Sequence, residues 1–169
     1  MITTNMNPTT ITASVQPKML GQVTEQLKHT QGITYFSPLA GRFDLAIELK
    51  AADQKQTYDL VNKIRSISGI TSTRTYSPFE GFTNGKNVQA TDALALVLLQ
   101  VNENVQKVLQ SLEQHPQIRN ASVVPGEFDI VATVYGKNHE EILSSVSKIA
   151  EVQGVESSET LLAYKPIWA

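Results

Sequence analysis

Two short turns in this chain carry residue types that can hold a small charged molecule. They are Gly41-Arg42-Phe43-Asp44 and Gly126-Glu127-Phe128-Asp129. Glycine lets a ligand approach the backbone closely, and an ionised aspartate accepts hydrogen bonds from an ammonium group. Hydroxyl groups that can donate to a carboxylate lie further along the chain, at Thr73, Thr75, Ser158 and Thr160. Together these groups predict a binding site for a free amino acid or a similar zwitterion.

The same residues also have a structural interpretation, and both interpretations stay open at this point. The glycines can serve tight hairpins, the phenylalanines can fill the core, and the aspartates can cap local N–H groups. Threonine is common in strands without any ligand. Arg42 stands where the second turn has Glu127, so the two predicted sites differ chemically. The acidic residue disfavours a ligand carboxylate, which makes the first turn the better site for an anionic effector.

No other residues form a catalytic or metal-binding pattern. The chain has no cysteine, and its three histidines, His29, His115 and His139, lack the spacing of a metal site. Ser37 and Ser122 have no base placed beside them in the sequence. We therefore predict no catalytic residue, no metal and no cofactor, and we expect that the chain is not an enzyme.

An internal repeat places the two turns in equivalent positions. Residues 10–78, moved forward by 85 positions, fall on residues 95–163 without a gap, and Gly41 and Gly69 meet Gly126 and Gly154. Such self-similarity indicates two copies of one structural unit. The predicted organisation is a frayed N-terminus (1–9), a first repeat (10–79), a linker (80–92), a second repeat (93–164) and a C-terminal tail (165–169).

Each copy has the periodicity of strand, helix, strand, strand, helix, strand. One such unit buries little surface alone, and its helices cover only one sheet face. We therefore predict an α+β fold in which the second faces of two βαββαβ sheets pack together. In the second repeat we assign to that face Ala95, Val97, Leu99, Val131 and Tyr135. In the first repeat we assign to it the more polar Thr12, Ser14, Ala46, Glu48, Thr71, Thr73 and Thr75.

Composition and charge exclude some classes of function. The formal net charge is −2 and hydrophobic residues make up 41% of the chain, as in ordinary globular proteins. No basic cluster predicts nucleic-acid binding. No apolar run approaches the ~18–20 residues of a membrane span, and the N-terminus lacks the features of a signal peptide. These observations predict a cytoplasmic protein that does not bind a membrane.

The order of these motifs resembles the amino-acid-sensing domain of the Lrp/AsnC family of regulators. The similarity rests on the Gly-x-Phe-Asp turn, then Lys-Ile and Gly-Ile/Val at the end of a helix, then Thr/Ser-x-Thr. In the first copy these are Gly41–Asp44, Lys63-Ile64, Gly69-Ile70 and Thr73–Thr75; in the second they are Gly126–Asp129, Lys148-Ile149, Gly154-Val155 and Ser158–Thr160.

The resemblance implies a ferredoxin-like βαββαβ fold that pairs sheet to sheet and often builds rings. It also implies small effectors, commonly amino acids, bound near the Gly-x-aromatic-Asp turn and the last strand. Full regulators of this family carry an N-terminal helix-turn-helix domain, but fewer than a dozen residues precede the first strand here. We therefore expect no direct sequence-specific DNA binding.

The predicted function is that of a stand-alone effector-binding, regulatory module. It would form at least a homodimer and would signal through its own assembly or through a DNA-binding regulator of the same family. Two alternatives remain: an enzyme of the dimeric α/β-barrel type, such as a small oxygenase or isomerase, and a purely structural oligomerisation module. The enzyme would need a buried His, a Tyr–Asp pair or an Arg inside the barrel, and Tyr135 near Asp129 comes nearest to this in the sequence.

Overall fold

The computed structural model describes residues 2–3, 7–51, 53–84 and 92–168, and within them the two predicted βαββαβ units are present. The first unit comprises β2 (Thr9–Val15), α1 (Leu20–Lys28), β3 (Ile33–Ala40), β4 (Leu45–Leu49), α2 (Gln54–Arg65) and β5 (Ile70–Tyr76). The second comprises β7 (Ala93–Val101), α3 (Val105–Glu113), β8 (Ile118–Val123), β9 (Ile130–Gly136), α4 (His139–Ala150) and β10 (Val155–Ala163). Three short strands complete the fold: β1 (Ile2–Thr3), β6 (Glu80–Thr83) and β11 (Ile167–Trp168).

Local sequence signals explain where several helices begin. The Asp53 carboxylate accepts the Gln56 N–H at the start of α2. The Asn138 side chain accepts the Glu141 N–H at 2.9 Å at the start of α4. A polar N-cap of this kind satisfies one of the free N–H groups of the first turn. These caps fix the helices that cover the outer face of each sheet.

Each repeat forms a four-stranded antiparallel sheet of the ferredoxin-like order, β3-β4-β2-β5 in the first and β8-β9-β7-β10 in the second. Separate apolar cores lie between each sheet and its own two helices. A third core joins the two sheets through side chains from both repeats, including Phe43, Tyr76, Leu96 and Leu98. The predicted sheet-to-sheet packing therefore occurs within one chain.

The last strand of each repeat extends into the other repeat. After β5, the chain crosses and β6 pairs with β8, where Phe82 lies opposite Ala121. After β10, β11 pairs with β3, where Ile167 lies opposite Phe36. Phe82 and Ile167 are 85 positions apart, as are their partners, so the exchange has approximate twofold symmetry. Together with the pairing of β10 with β3, this exchange joins the strands of both repeats into one eleven-stranded sheet.

The predicted segment boundaries differ from the structure where this exchange occurs. Residues 80–83, assigned to the linker, form β6, because Phe82 is fully buried in the core under α3. Residues 167–168 of the predicted tail form β11, and Ile2–Thr3 of the predicted frayed segment pair with β6. Residues 85–91 of the predicted linker lie outside the described residues, as do residues 1 and 4–6 of the N-terminal segment, Ala52 and Ala169.

The gapless repeat alignment is wrong for the first strand. The N–H of Asp44 donates to the carbonyl of Ala13 at 2.9 Å, and the N–H of Asp129 donates to Leu99 at 2.9 Å. The aspartates are 85 positions apart but their partners are 86 apart. The first repeat has one additional residue between β2 and α1, where Lys18 adopts a left-handed φ of 72°. This local insertion changes the register without interrupting either element.

A shift by one residue moves a strand's side chains to the other face, and this corrects the predicted inter-sheet surface. Val97 and Leu99 pack under the helices, and Ala95 shares their face. The inter-sheet face of β7 instead consists of Leu94, Leu96 and Leu98, which are almost completely buried. Val131 and Tyr135 face the other sheet as predicted. In the first repeat Thr12 and Glu48 also face it, whereas Thr73 and Thr75 do not.

Candidate functional site

The two Gly-x-Phe-Asp turns need glycine for their backbone conformation. Gly41 has φ +135° and Gly126 has φ +133°, a region that side chains rarely adopt. A Cβ at Gly41 would also lie 2.6 Å from Cδ2 of Leu161 in β10. At Gly126 no atom of the described residues lies within 4 Å of that position. The second turn therefore borders open space, and the first is closed by a buried leucine.

Asp44 and Asp129 hold the end of each turn to the first strand of the same repeat. Oδ2 of Asp44 accepts the Val15 N–H at 2.8 Å, and Oδ2 of Asp129 accepts the Val101 N–H at 2.8 Å. Each aspartate therefore joins two backbone groups of one strand, one through its own N–H and one through its carboxylate. This is the structural role that the sequence left open, and one carboxylate oxygen of each residue serves it.

The two turns, which the sequence analysis treats as separate sites, meet in one cluster of four charged residues. Both oxygens of Glu127 are engaged: Oε1 accepts from Nη2 of Arg42 at 2.8 Å, and Oε2 accepts from Nη1 of Arg74 at 2.7 Å. Nε of Arg42 donates to Oε2 of Glu159 at 2.9 Å. The four residues thus alternate in sign in the order Arg74, Glu127, Arg42, Glu159. We call them the turn junction.

The turn junction lies at the surface, with each of its side chains about one-third to one-half exposed. The hydrogen bond from Arg74, followed by that from Arg42, lowers the pKa of Glu127. The bond to Glu127 is also the main cause that raises the pKa of Arg42 and of Arg74. Arg42, Arg74 and Glu127 are therefore charged near neutral pH, although water screens their pairing.

Two phenylalanines form the floor of the turn junction. Phe43 and Phe128 belong to the core between the sheets and are 8% and 6% exposed. The guanidinium of Arg42 lies over both rings, at 4.8 Å and 5.5 Å from their centres, and that of Arg74 lies 5.5 Å from Phe43. Cations over aromatic faces gain electrostatic attraction. The site thus combines charged groups at its rim with an apolar base.

The four hydroxyl groups predicted to bind a ligand lie on the helix-facing side of their strands, away from the turn junction. Thr73 and Thr75 pair with Ala13 and Ile11, whose side chains face the helices. Ser158 and Thr160 likewise pair with Leu99 and Val97. Between them, Arg74 and Glu159 face the other sheet and reach the turn junction. The structure therefore brings together Gly41, Arg42, Phe43, Gly126, Glu127 and Phe128, but not the four hydroxyls.

Sequence reasoning missed Arg74 and Glu159 as members of the site, although a signal was present. The two residues occupy equivalent positions 85 apart and carry opposite charges, as do Arg42 and Glu127. It also missed a buried pair between Glu48 and Arg119 in the interior. Among the described residues, no group of three or more metal-ligating side chains is present, and no helix is long and apolar enough to cross a membrane.

Comparisons with known proteins identify a matching family. The family profile of the Lrp/AsnC ligand binding domain matches twice, over residues 9–85 and 93–168. None of the curated proteins compared with the chain matches it. A protein from Thermus thermophilus is 36% identical over 43% of this chain and 92% of its own, with a TM-score of 0.41.

Two solved enzymes share the tandem fold. The siroheme decarboxylase NirDL is 11% identical, with a TM-score of 0.71 over 95% of this chain and 72% of its own. A mutant chlorite dismutase from Candidatus Nitrospira defluvii is 11% identical, with a TM-score of 0.66 over 95% of this chain and 90% of its own. The expectation that the chain is not an enzyme is contradicted, because proteins of this architecture catalyse reactions.

At such identities the likeness to the two enzymes shows the fold alone. The family profile, in contrast, matches both repeats nearly end to end, including both Gly-x-Phe-Asp turns. The chain therefore belongs to the Lrp/AsnC ligand-binding domain family and contains two copies of that domain in tandem.

Proposed function

We propose that this chain is a regulatory module that binds an amino acid at the turn junction. The observation that carries the proposal is the alternation of two arginines and two glutamates where the two repeats meet. The family match supports binding of a small ligand, and the charges specify what kind. A free amino acid carries one carboxylate and one ammonium, so it adds no net charge to a cluster of two positive and two negative groups.

The ion pair between Arg74 and Glu127 is the best place for the amino acid to bind. In our proposal the ligand carboxylate pairs with Arg74, whose planar guanidinium suits a carboxylate. The ligand ammonium pairs with Glu127, in place of the 2.7 Å contact that now joins the two residues. The open space beside Gly126 gives a ligand room there, whereas Leu161 closes the equivalent space beside Gly41.

Binding at this link would couple the ligand to the arrangement of the repeats. Glu127 bridges from the second repeat to Arg42 and Arg74 of the first, so a ligand that takes over one contact changes how the halves are held. We propose that this change is transmitted by assembly of the chain with itself or with a DNA-binding regulator of the same family. Asp44 and Asp129 then support the site by fixing the turns.

Thermal-shift screening of the intact protein against the twenty amino acids, followed by calorimetry on any hit, tests the proposal. At least one amino acid should raise the melting temperature. Arg74→Met should weaken its binding roughly ten- to a hundredfold, because a hydrogen bond between charged groups is lost. Arg65→Met, on the exposed surface of α2, is the matched control and should bind like the wild type. No stabilising amino acid, or equal affinity in Arg74→Met, would reject this function.

A further inference from the structure

A second cluster of polar side chains lies inside the body, between the two sheets. Glu48 projects from β4 and Arg119 from β8, and Nη1 of Arg119 donates to Oε2 of Glu48. Their side chains are 3% and 17% exposed. A buried ion pair costs desolvation that a well-packed apolar pair would not. Its position at the contact between the repeats therefore calls for a reason other than stability.

Aromatic rings surround the arginine of this pair. The guanidinium of Arg119 lies 5.5 Å from the ring centre of Trp168 and 5.9 Å from that of Tyr35. The rings of Tyr35 and Trp168 are 5.1 Å apart. Burial, and then the charge of Glu48, raises the pKa of Tyr35, so its hydroxyl stays protonated beside Thr133. The groups around the ion pair are thus rich in hydrogen-bond donors.

Two donors of the same region are buried and have no hydrogen-bond partner within the part of the chain that the structure describes. They are Nδ2 of Asn120, a residue that is 5% exposed, and Nε1 of Trp168. Asn120 follows Arg119 in β8 and lies opposite Thr133, which contacts Tyr35. Leaving a buried N–H unsatisfied costs stability, so such groups normally have an acceptor. Both atoms can only donate, and they indicate an oxygen-bearing guest.

We propose that Arg119, Asn120, Trp168, Tyr35 and Glu48 form an interior binding site for a compact carboxylate. A planar carboxylate matches the donor fork of a guanidinium. Its two oxygens have enough lone pairs to accept from the Asn120 and Trp168 N–H groups as well. Glu48 is then the chain's own carboxylate, which neutralises Arg119 in the ligand-free protein. The inference goes beyond the amino-acid site at the turn junction and does not depend on it.

A bound carboxylate adds a second negative charge beside Glu48, and protonation of Glu48 removes one of the two charges. Burial raises the pKa of Glu48, and the positive charge of Arg119 from β8 partly lowers it again. Tyr35 from β3 is the other titratable group beside Glu48, whose charge raises the pKa of Tyr35. A carboxylate that takes over Arg119 leaves Glu48 in a buried site without its cation, so Glu48 gains a proton. Binding should therefore tighten as the pH falls toward the pKa of Glu48.

The short strand β11 gives a small ion a route to this interior site. Trp168 lies on β11, a strand of two residues that pairs with β3 through Ile167 and Trp168. Elements with few backbone pairs open at low cost. Separation of β11 from β3 would uncover Arg119 and let a small ion reach the interior while the rest of the sheets stays paired.

Trp168 is the only tryptophan of the chain, so its fluorescence reports on this site alone. We would titrate the intact protein with sodium formate and sodium acetate and follow the selectively excited emission of Trp168. Sodium chloride at equal ionic strength is the control salt. A saturable shift of the emission to longer wavelength is expected with the carboxylates as Nε1 gains an acceptor, and none is expected with chloride.

Asn120→Ala removes one unpaired donor, leaves the ion pair intact and should weaken formate binding roughly ten- to a hundredfold. Ser122→Ala, on the same face of β8, is the matched control and should not change it. Arg119→Lys should also weaken binding, and Arg74→Met at the turn junction should not. The proposal is overturned if formate gives no saturable shift, if chloride gives the same one, or if Asn120→Ala binds like Ser122→Ala.

Discussion

Arg42 and Glu127 occupy the same position in the two repeats and bind each other, with Nη2 and Oε1 2.8 Å apart. The approximate twofold axis of the chain therefore passes between them. In a symmetric pair of identical domains, a residue beside the axis meets its own copy, and like charges would repel. A tandem chain can place arginine in one copy and glutamate in the other, which turns this contact into an ion pair.

This relationship predicts the behaviour of charge-swapped variants. The double variant Arg42→Glu with Glu127→Arg should melt at a lower temperature than the wild type, because residue 42 would then repel Glu159 and residue 127 would repel Arg74. The fourfold swap, which also includes Arg74→Glu and Glu159→Arg, restores every sign and should recover most of the loss. Calorimetric melting of the wild type, the double swap and the fourfold swap, in low and in high salt, checks this order of melting temperatures. Full recovery in the double swap would contradict the junction geometry.

The two turn glycines should differ in their tolerance of a side chain. Both Gly41→Ala and Gly126→Ala place alanine at a strained φ, at a cost of about 1–3 kcal/mol. Gly41→Ala also forces Cβ against buried Leu161, which adds about 1–3 kcal/mol of overpacking. Urea denaturation should therefore show the larger loss for Gly41→Ala. Adding Leu161→Ala should cost less in the Gly41→Ala background than in the wild type; equal losses would show that no such contact exists.

Much of the fold could be predicted because the repeat supplies each signal twice. Strand and helix periodicities and the need to cover the second sheet face agree with the structure. The inserted residue near Lys18 could not be found, because a shift of one residue in a short strand of mostly apolar and small side chains leaves the sequence match almost unchanged. The gapless alignment therefore predicts the wrong face of β7 for the contact between the sheets.

The candidate site was predicted less completely, since its members meet only through the packing of the repeats. The Gly-x-Phe-Asp motif identified both turns, but nothing in it indicated that Arg42 and Glu127 would meet. The Thr-x-Thr pattern drew attention to the hydroxyls, whereas the residues between them, Arg74 and Glu159, face the junction. Alternation along a strand separates neighbours onto opposite faces, and sequence alone did not fix which face was functional.

The role of the aspartates can be tested in both repeats. Asp44→Ala and Asp129→Ala each remove an acceptor from a backbone N–H, of Val15 and Val101. Hydrogen bonds to charged groups contribute about 1.5–3 kcal/mol, so each variant should lose that much stability. Asp→Asn should lose less, because the amide oxygen can still accept. Chemical denaturation measures these losses, and an unchanged midpoint in the alanine variants would show that these bonds are dispensable.

The same variants separate support from direct contact in the site. If an aspartate also holds a ligand ammonium, Asp44→Asn or Asp129→Asn should weaken amino-acid binding roughly ten- to a hundredfold while the fold persists. If it only fixes the turn, the Asn variants should bind nearly as tightly as the wild type. Calorimetry on folded protein distinguishes the two results. Thr75→Val and Thr160→Val, on the helix-facing side, serve as controls with smaller expected effects.

The pH dependence of stability should contain two contributions of opposite sign. Burial raises the folded-state pKa of Glu48 above its ordinary 4.5, so the folded state binds the proton more tightly. The stability this adds is present below pH 4.5 and is lost as the pH rises through the folded-state pKa. Arg74 and Arg42 lower the pKa of Glu127, whose contribution is present above pH 4.5 and is lost as the pH falls through its folded-state value.

In the wild type, stability should fall as the pH rises above 4.5 because of Glu48, and Glu48→Gln should abolish this fall. Stability should rise as the pH increases toward 4.5 because of Glu127, and Glu127→Gln should abolish this rise. Urea midpoints measured across this range for the wild type and the two variants check both signs. Parallel curves for all three proteins would show that neither carboxylate is shifted as the geometry requires.

The reciprocal strand exchange predicts that neither repeat is stable alone. Residues 1–83 would keep β6 without its partner β8, and Phe82 would leave the core in which it is fully buried. The inter-sheet face around Phe43 and Tyr76 would also be exposed to water, and a unit of this size buries too little surface to compensate. We expect the fragment to unfold without cooperativity or to self-associate, as judged by light scattering and urea denaturation. Addition of residues 84–169 as a separate chain should restore a folded one-to-one complex, and a monomeric, cooperatively folding fragment would contradict the exchange.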